Sequence, residues 1–219
     1  MKILSAIFAT IIYIIGIELV SLWMFIPGMD ATGFAMYGQF LQGLLQFVLI
    51  IFFIHLIYRK AEGRVWKKAS LYGYVIAAVT GFCFVGLQVP LYKWYNEMAG
   101  TSLNIVFDFD GWRELRNINM LSVIFFIPVS EELFFRRWIQ DKLQEVSQPY
   151  TGLLIATILF SSIHLGLTQI WLGWEMLDWH GAFITFWGGG IAGWLYMKFQ
   201  SVGPSIIFHM CWNFMVVIV

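Results

Sequence analysis

Charge is what this chain has least of. Lys, Arg, Asp and Glu make up 12% of its 219 residues, against roughly 25% in soluble domains. The 13 basic and 13 acidic residues cancel, so no net positive charge favours a nucleic-acid partner. Cysteine is nearly missing, with only two residues, and a secreted disulfide scaffold is excluded. Glycine and proline follow no period, so a collagen-like repeat is excluded too. What fills the sequence instead is apolar: 60% hydrophobic residues and 19% aromatic, with a mean hydropathy of +0.76. A soluble fold of this size would leave much of that surface in water. The expectation is an all-α, polytopic membrane protein in a single domain spanning 1–219.

A helix crossing the hydrocarbon core needs about 20 mostly apolar residues. Seven stretches qualify, roughly Ile3–Ile26, Phe34–Tyr58, Leu71–Tyr92, Ile118–Phe135, Tyr150–Ile170, Gly181–Phe199 and Pro204–Val219. Their runs are continuous, not alternating as in a membrane β-barrel. The first lacks the short apolar core and small-residue cleavage site of a signal peptide. Basic residues set an orientation. Lys2, Arg59, Lys60, Arg64, Lys67, Lys68, Arg136, Arg137, Lys142 and Lys198 fall on one side, and Lys93, Arg113 and Arg116 on the other. The positive-inside rule then predicts a cytoplasmic N-terminus. The segment Asn104–Arg116 interleaves aromatics with charges and fits either an interfacial helix or a partly ordered loop. Cys83 and Cys211 lie inside apolar stretches and read as small buried hydrophobes.

An ionisable side chain among lipid tails costs several kcal/mol unless it is paired or hydrated. Three of the predicted helices carry such groups. The fourth holds Glu131, Glu132, Arg136 and Arg137, the fifth holds His164, and the seventh holds His209 and Asn213. Glu132 with Arg136, Phe160 with His164, and His209 with Asn213 are i,i+4 pairs, each on one helical face. Three polar stripes of this kind are expected to face one another around a hydrated cavity in the cytoplasmic half of the membrane. Two adjacent carboxylates in a low-dielectric site resist ionising together, which suits one of them to general-base work on water near neutral pH. An imidazole nearby can orient the same water. A second imidazole and a carboxamide can donate to a developing oxyanion. Arg136 can hold Glu132 in place and leave Glu131 available. Together these groups describe a hydrolase without a Ser or Cys nucleophile. Cys211 is a poor candidate for one, because two residues from His209 puts it on a different face.

Glu131-Glu132-x-x-x-Arg136, Phe160-x-x-x-His164 and His209-x-x-x-Asn213 resemble, in this order, the three motifs of the CPBP family. These are the CAAX protease and bacteriocin-processing (Abi) intramembrane glutamic endopeptidases. The resemblance runs from roughly Leu121 to the C-terminus, and the helices of 118–219 carry the motifs. It implies that Glu131 and His164 activate water, and that His209 and Asn213 form an oxyanion hole. Glu132 and Arg136 would support the site. It also implies peptide-bond hydrolysis without an essential metal, acting on a membrane-associated peptide or protein. Bacterial members lack added domains, as this chain does, so a multi-pass protein of the bacterial plasma membrane is expected. Those members are associated with processing of bacteriocins and signalling peptides, self-immunity or scaffolding.

Other readings use the same residues. Two histidines and a carboxylate could hold zinc, although no His-Glu-x-x-His is present. A non-catalytic scaffold or self-immunity protein could use the pocket for binding alone. Polar residues could also serve only as links between helices. A proton-coupled transporter is disfavoured, since the two halves show no repeat.

Overall fold

The computed structural model describes residues 3–21, 31–59, 68–103, 109, 111–166 and 173–219. Within these, the side chains of 18–21, 31–36, 57–59 and 175 are not described. The basic connection at 60–67, and the acidic residues Asp108 and Asp110, lie outside them.

Every regular element among the described residues is helical, so the all-α expectation holds. We number the long helices α1 (Ile3–Ser21), α2 (Ala31–Arg59), α3 (Leu71–Ala99), α4 (119–144), α5 (Pro149–Ser162), α6 (Trp179–Phe199) and α7 (Val202–Ile218). Tyr37–Leu56 and Leu71–Ala99 are each long and apolar enough to cross a membrane. Ile3–Ile17, Pro149–Leu165 and Val202–Ile218 are shorter apolar helices. Large apolar side chains point outward, among them Leu4, Phe8, Phe52, Leu71, Val79 and Ile158. That is the surface a lipid solvent favours and water does not.

Local chemistry sets the helix ends. The Ser70 hydroxyl caps α3 by accepting from Gly73 N at 3.3 Å, satisfying a donor that the first helical turn leaves unpaired. Gly100 ends α3 at φ +66°, where the absence of a Cβ makes the left-handed conformation easy. Asp178 caps α6 through Gly181 N at 2.6 Å. Pro149 opens α5, where a missing N–H costs nothing.

Predicted ends are corrected. The third helix runs past Tyr92 to Ala99, because polar residues from Lys93 onward interrupt the apolar run without stopping the helix. The fifth helix does not run to Ile170: its α-helical part stops at Ser162. His164 lies in a following 3-10 turn, Ile163–Leu165, closed by Gly166 at φ +63°. Of the segment Asn104–Arg116, the described part contains a short 3-10 helix, Gly111–Arg116. The rest of that predicted segment lies partly outside the described residues. Helix α4 is longer than expected and changes pitch four times. It is π-helical over Ser122–Phe126, α-helical over Ile127–Glu132 and π-helical again over Leu133–Gln140. Wide π turns inside helices are common at functional sites.

Packing forms two apolar clusters. One joins α1, α2, α4 and α5 through residues such as Tyr13, Ile50, Phe135 and Phe160, and takes in Tyr196 of α6 and Val202 of α7. The other joins α3, α6 and α7 through Phe84, Ile184, Leu195, Phe208 and Trp212. Helix α3 lies along α7, and α6 packs against both α5 and α7. Polar ties cross between helices. Asn119 Oδ1 accepts from Phe40 N at 2.9 Å, and the Ser205 hydroxyl donates to Ala192 O at 2.7 Å. Both cysteines are free, and Cys83 is exposed, not buried as expected. Cys211 faces α3, where its Cβ stands 2.8 Å from the position a Cβ on Gly81 would take.

Candidate active site

The seam between the two clusters carries the polar residues. Helix α4 supplies Glu131, Glu132 and Arg136, all buried, with Glu132 and Arg136 wholly shielded from solvent. The Arg136 Nε–H donates to Glu132 Oε2 at 3.0 Å. The other Glu132 oxygen pairs with His209 Nδ1 of α7, also at 3.0 Å. A carboxylate only accepts, so Nδ1 carries the hydrogen. Both Glu132 oxygens are thus committed to structural partners on two helices. His209 Nε2 points the other way and stands 3.8 Å from Glu131 Oε2, beyond a hydrogen bond. That Glu131 oxygen has no protein donor.

Phe160 of α5 is the hub of the aromatic wall. The Arg136 guanidinium carbon sits 4.8 Å from its ring centre, a cation–π contact in a desolvated setting. The His209 ring meets Phe160 edge-on at 5.9 Å, and the His164 ring lies 5.0 Å from it. His164 Nδ1 is 3.1 Å from Phe160 O. A carbonyl only accepts, so the hydrogen is on Nδ1, and Nε2 is an acceptor in the neutral ring. His164 thus joins the site through Phe160, and no hydrogen bond or ion pair links it to Glu131 among the described residues. Asn213 is half-buried, one turn beyond His209, and its Nδ2 donates to Val123 O of α4 at 2.8 Å. The amide has a second N–H to give.

Glycines admit these large groups. A Cβ on Gly189 of α6 would come within 2.6 Å of the Phe160 ring and 3.3 Å of Arg136 Nη2. On Gly193 it would stand 2.7 Å from Gln140 Oε1 and 3.5 Å from Arg136 Nη1. Helix α6 can therefore approach α4 closely enough for Gln140 Nε2 to donate to Gly193 O at 3.0 Å.

Six residues were singled out by their motifs. The structure brings Glu131, Glu132, Arg136 and His209 into one cluster. It sets His164 beside Phe160 and ties Asn213 to the start of α4. Gln140, Tyr13 and the glycines of α6 were not foreseen. The run Gly188-Gly189-Gly190 was the available sequence sign of close helix approach. His55, near the end of α2, is exposed. Among the described residues no group of three or more His, Cys, Asp and Glu side chains is arranged to hold a metal ion.

A helical membrane protein with a buried carboxylate pair, a guanidinium and imidazoles at its helix seam defines a broad class, that of polar intramembrane sites. The family comparison narrows it. Residues 113–215 match the family model described as type II CAAX prenyl endopeptidase Rce1-like. The stretch bearing all three motifs is thus similar to Rce1-like CAAX-protease domains, in agreement with the resemblance read from the motifs. That likeness supports a membrane-protease kind of function. No curated protein and no solved structure matches the chain.

Proposed function

We propose that this protein is an intramembrane glutamic endopeptidase that hydrolyses a peptide bond of a membrane-associated peptide or protein. The observation that carries this reading is the division of labour between the two carboxylates. Glu132 is saturated by Arg136 and His209, whereas Glu131 Oε2 is buried with no protein donor. A carboxylate with an uncommitted oxygen is free to take a proton from water. In this reading Glu131 is the general base, and His164 Nε2 accepts the water's second hydrogen and aims its lone pair. The attack forms a tetrahedral oxyanion. His209, protonated, donates from Nδ1 to Glu132 and from Nε2 to the oxyanion, and the second N–H of Asn213 completes the hole. Collapse passes the proton from Glu131 to the leaving amine. Glu132 and Arg136 hold His209 in its orientation, as a carboxylate orients the histidine of a Ser-His-Asp triad.

The seven-span arrangement, the cytoplasmic N-terminus and the setting in a bacterial plasma membrane belong to this proposal. They are supported by the basic-residue asymmetry and the outward-facing apolar side chains. The reaction as written needs no metal.

The test is cleavage of membrane-proximal peptides by protein in nanodiscs, with products read by mass spectrometry. Wild type is expected to cut, and Glu131→Gln to lose about 10²–10⁴ in rate, the usual contribution of a general base. Equal cleavage by both would overturn the assignment. A cellular phenotype that survives Glu131→Gln would instead favour a non-catalytic scaffold or self-immunity role.

A further inference from the structure

One wall of the site comes from helices that precede the matched stretch. Tyr13 of α1 is buried in the cluster of α1, α2, α4 and α5. Its ring stacks on Phe134 at 4.3 Å between centroids and meets Phe135 edge-on at 5.5 Å. These two residues follow Glu131 by three and four positions, about one turn along the same helix. The phenol is therefore set against the turn of α4 next to Glu131. Both Glu131 and Glu132 lie close enough to act on it electrostatically.

The hydrogen-bond capacity of the phenol decides what it can do there. Its oxygen accepts and its hydrogen donates. Gln46 of α2 is itself buried and donates its Nε2–H to the Tyr13 oxygen. An amide N–H cannot accept, so the phenol's own hydrogen is left to give elsewhere. Near it is Glu131, whose Oε2 is buried and lacks a donor from the protein. A buried acceptor is expensive to leave unpaired. An unspent donor on α1 and a buried, unpaired acceptor on α4 thus lie at neighbouring turns of the same packed pair of helices.

We infer that Tyr13, clamped by Gln46, is a positioning residue that directs its O–H toward Glu131 Oε2 through water, fixing the carboxylate and the water it activates. The inference rests on the reading of Glu131 as the general base. It makes the α1–α2 pair a working part of the site, although both helices lie outside the 113–215 stretch.

Tyr13→Phe keeps the ring and its stacking and removes only the hydroxyl. Infrared difference spectra of purified wild type, Tyr13→Phe and Glu131→Gln read the carboxyl and carboxylate stretches. The band absent in Glu131→Gln belongs to Glu131. It is expected to shift in Tyr13→Phe and to shift the same way in Gln46→Leu, where the clamp is lost. An unmoved Glu131 band in folded Tyr13→Phe overturns the inference, whether or not any peptide is cut. In the cleavage assay, Tyr13→Phe is expected to lower kcat on the order of 10-fold, the worth of one hydrogen bond to an ionised group, with KM unchanged. A merely structural Tyr13 would leave kcat at the wild-type value, and that result too overturns the inference. If Glu131→Gln cleaves as wild type does, the assignment of the base fails, and the infrared shift alone decides for or against Tyr13.

Discussion

Glu132 and Glu131 are neighbours in sequence with different tasks. Glu132 has both oxygens bound, one to Arg136 and one to His209, so removing Arg136 would leave a buried carboxylate with half its partners. Arg136→Met is expected to cost about 3–5 kcal/mol of stability, the range for breaking a buried pair by removing one member. Denaturant titration in detergent would measure it. Adding Glu132→Gln to that variant is expected to recover part of the loss, because the pair is coupled. Asn213 acts at the other end of the reaction. Asn213→Ala is expected to lower kcat about 10²–10³-fold, as loss of an oxyanion donor does, with little change in KM. A matching rise in KM would make Asn213 a substrate-binding group instead. The motif residues were legible in the sequence because ionisable groups inside apolar runs need an explanation. Tyr13 was not, because a tyrosine in an apolar helix is ordinary until its neighbours are known.

At the scale of elements, what mattered most was how closely helices approach. Helix α6 reaches α4 only because Gly189 and Gly193 carry no side chain where Arg136 and Gln140 lie. Gly193→Ala would drive a methyl group against Gln140 and against Leu153. The expected cost is about 1–3 kcal/mol, typical of overpacking, read as a lower unfolding midpoint, together with reduced cleavage. Helix existence was readable from apolar run length, and the starts of α3 and α5 fall within a residue of where the apolar runs begin. The end of α3 was placed at Tyr92, short of Ala99, because the polar residues Lys93, Asn96 and Glu97 break the apolar run before the stop at Gly100. The end of α5 was misplaced because Ile163–Ile170 remains apolar beyond the α-helical stop at Ser162. The pitch changes in α4 left no mark in the sequence pattern, since they depend on neighbouring helices as much as on local preference.

On the scale of the whole molecule, the site lies where two apolar clusters meet and draws on α4, α5 and α7. Helices α6 and α7 contribute to both clusters, and the ion-paired set spans them. His209 belongs to a helix of the second cluster and contacts Phe160 and Glu132 of the first. Unfolding of either cluster should therefore abolish cleavage, and activity should fall together with the global transition. Rigorous chelation is expected to leave cleavage at its full rate. Loss of activity restored by zinc would make the enzyme a metalloprotease. The apolar, charge-poor composition made the membrane class and the helical class legible. It carried no trace of the seam, which arises only from the order in which the helices pack.

The second π stretch of α4 has a consequence for how the gene can change length. Over Leu133–Gln140 the backbone pairs i→i+5 in place of i→i+4, so this stretch holds more chain than an α-helix would over the same turns. Deleting one codon there would let the ladder tighten to α-helix, an ordinarily comfortable outcome for a helix. Everything downstream would then keep nearly its present phase, because the shorter α-helical ladder covers about the same turns. Gln140 would stay near Gly193, and Asp141 would keep the Tyr196 hydroxyl that it now accepts at 3.1 Å. Single-codon deletions at 137–139 should thus be tolerated better than in the α-helical Ile127–Glu132, where no extra chain is stored, and a deletion scan scored for cleavage would trace this part of the π stretch as a permissive window.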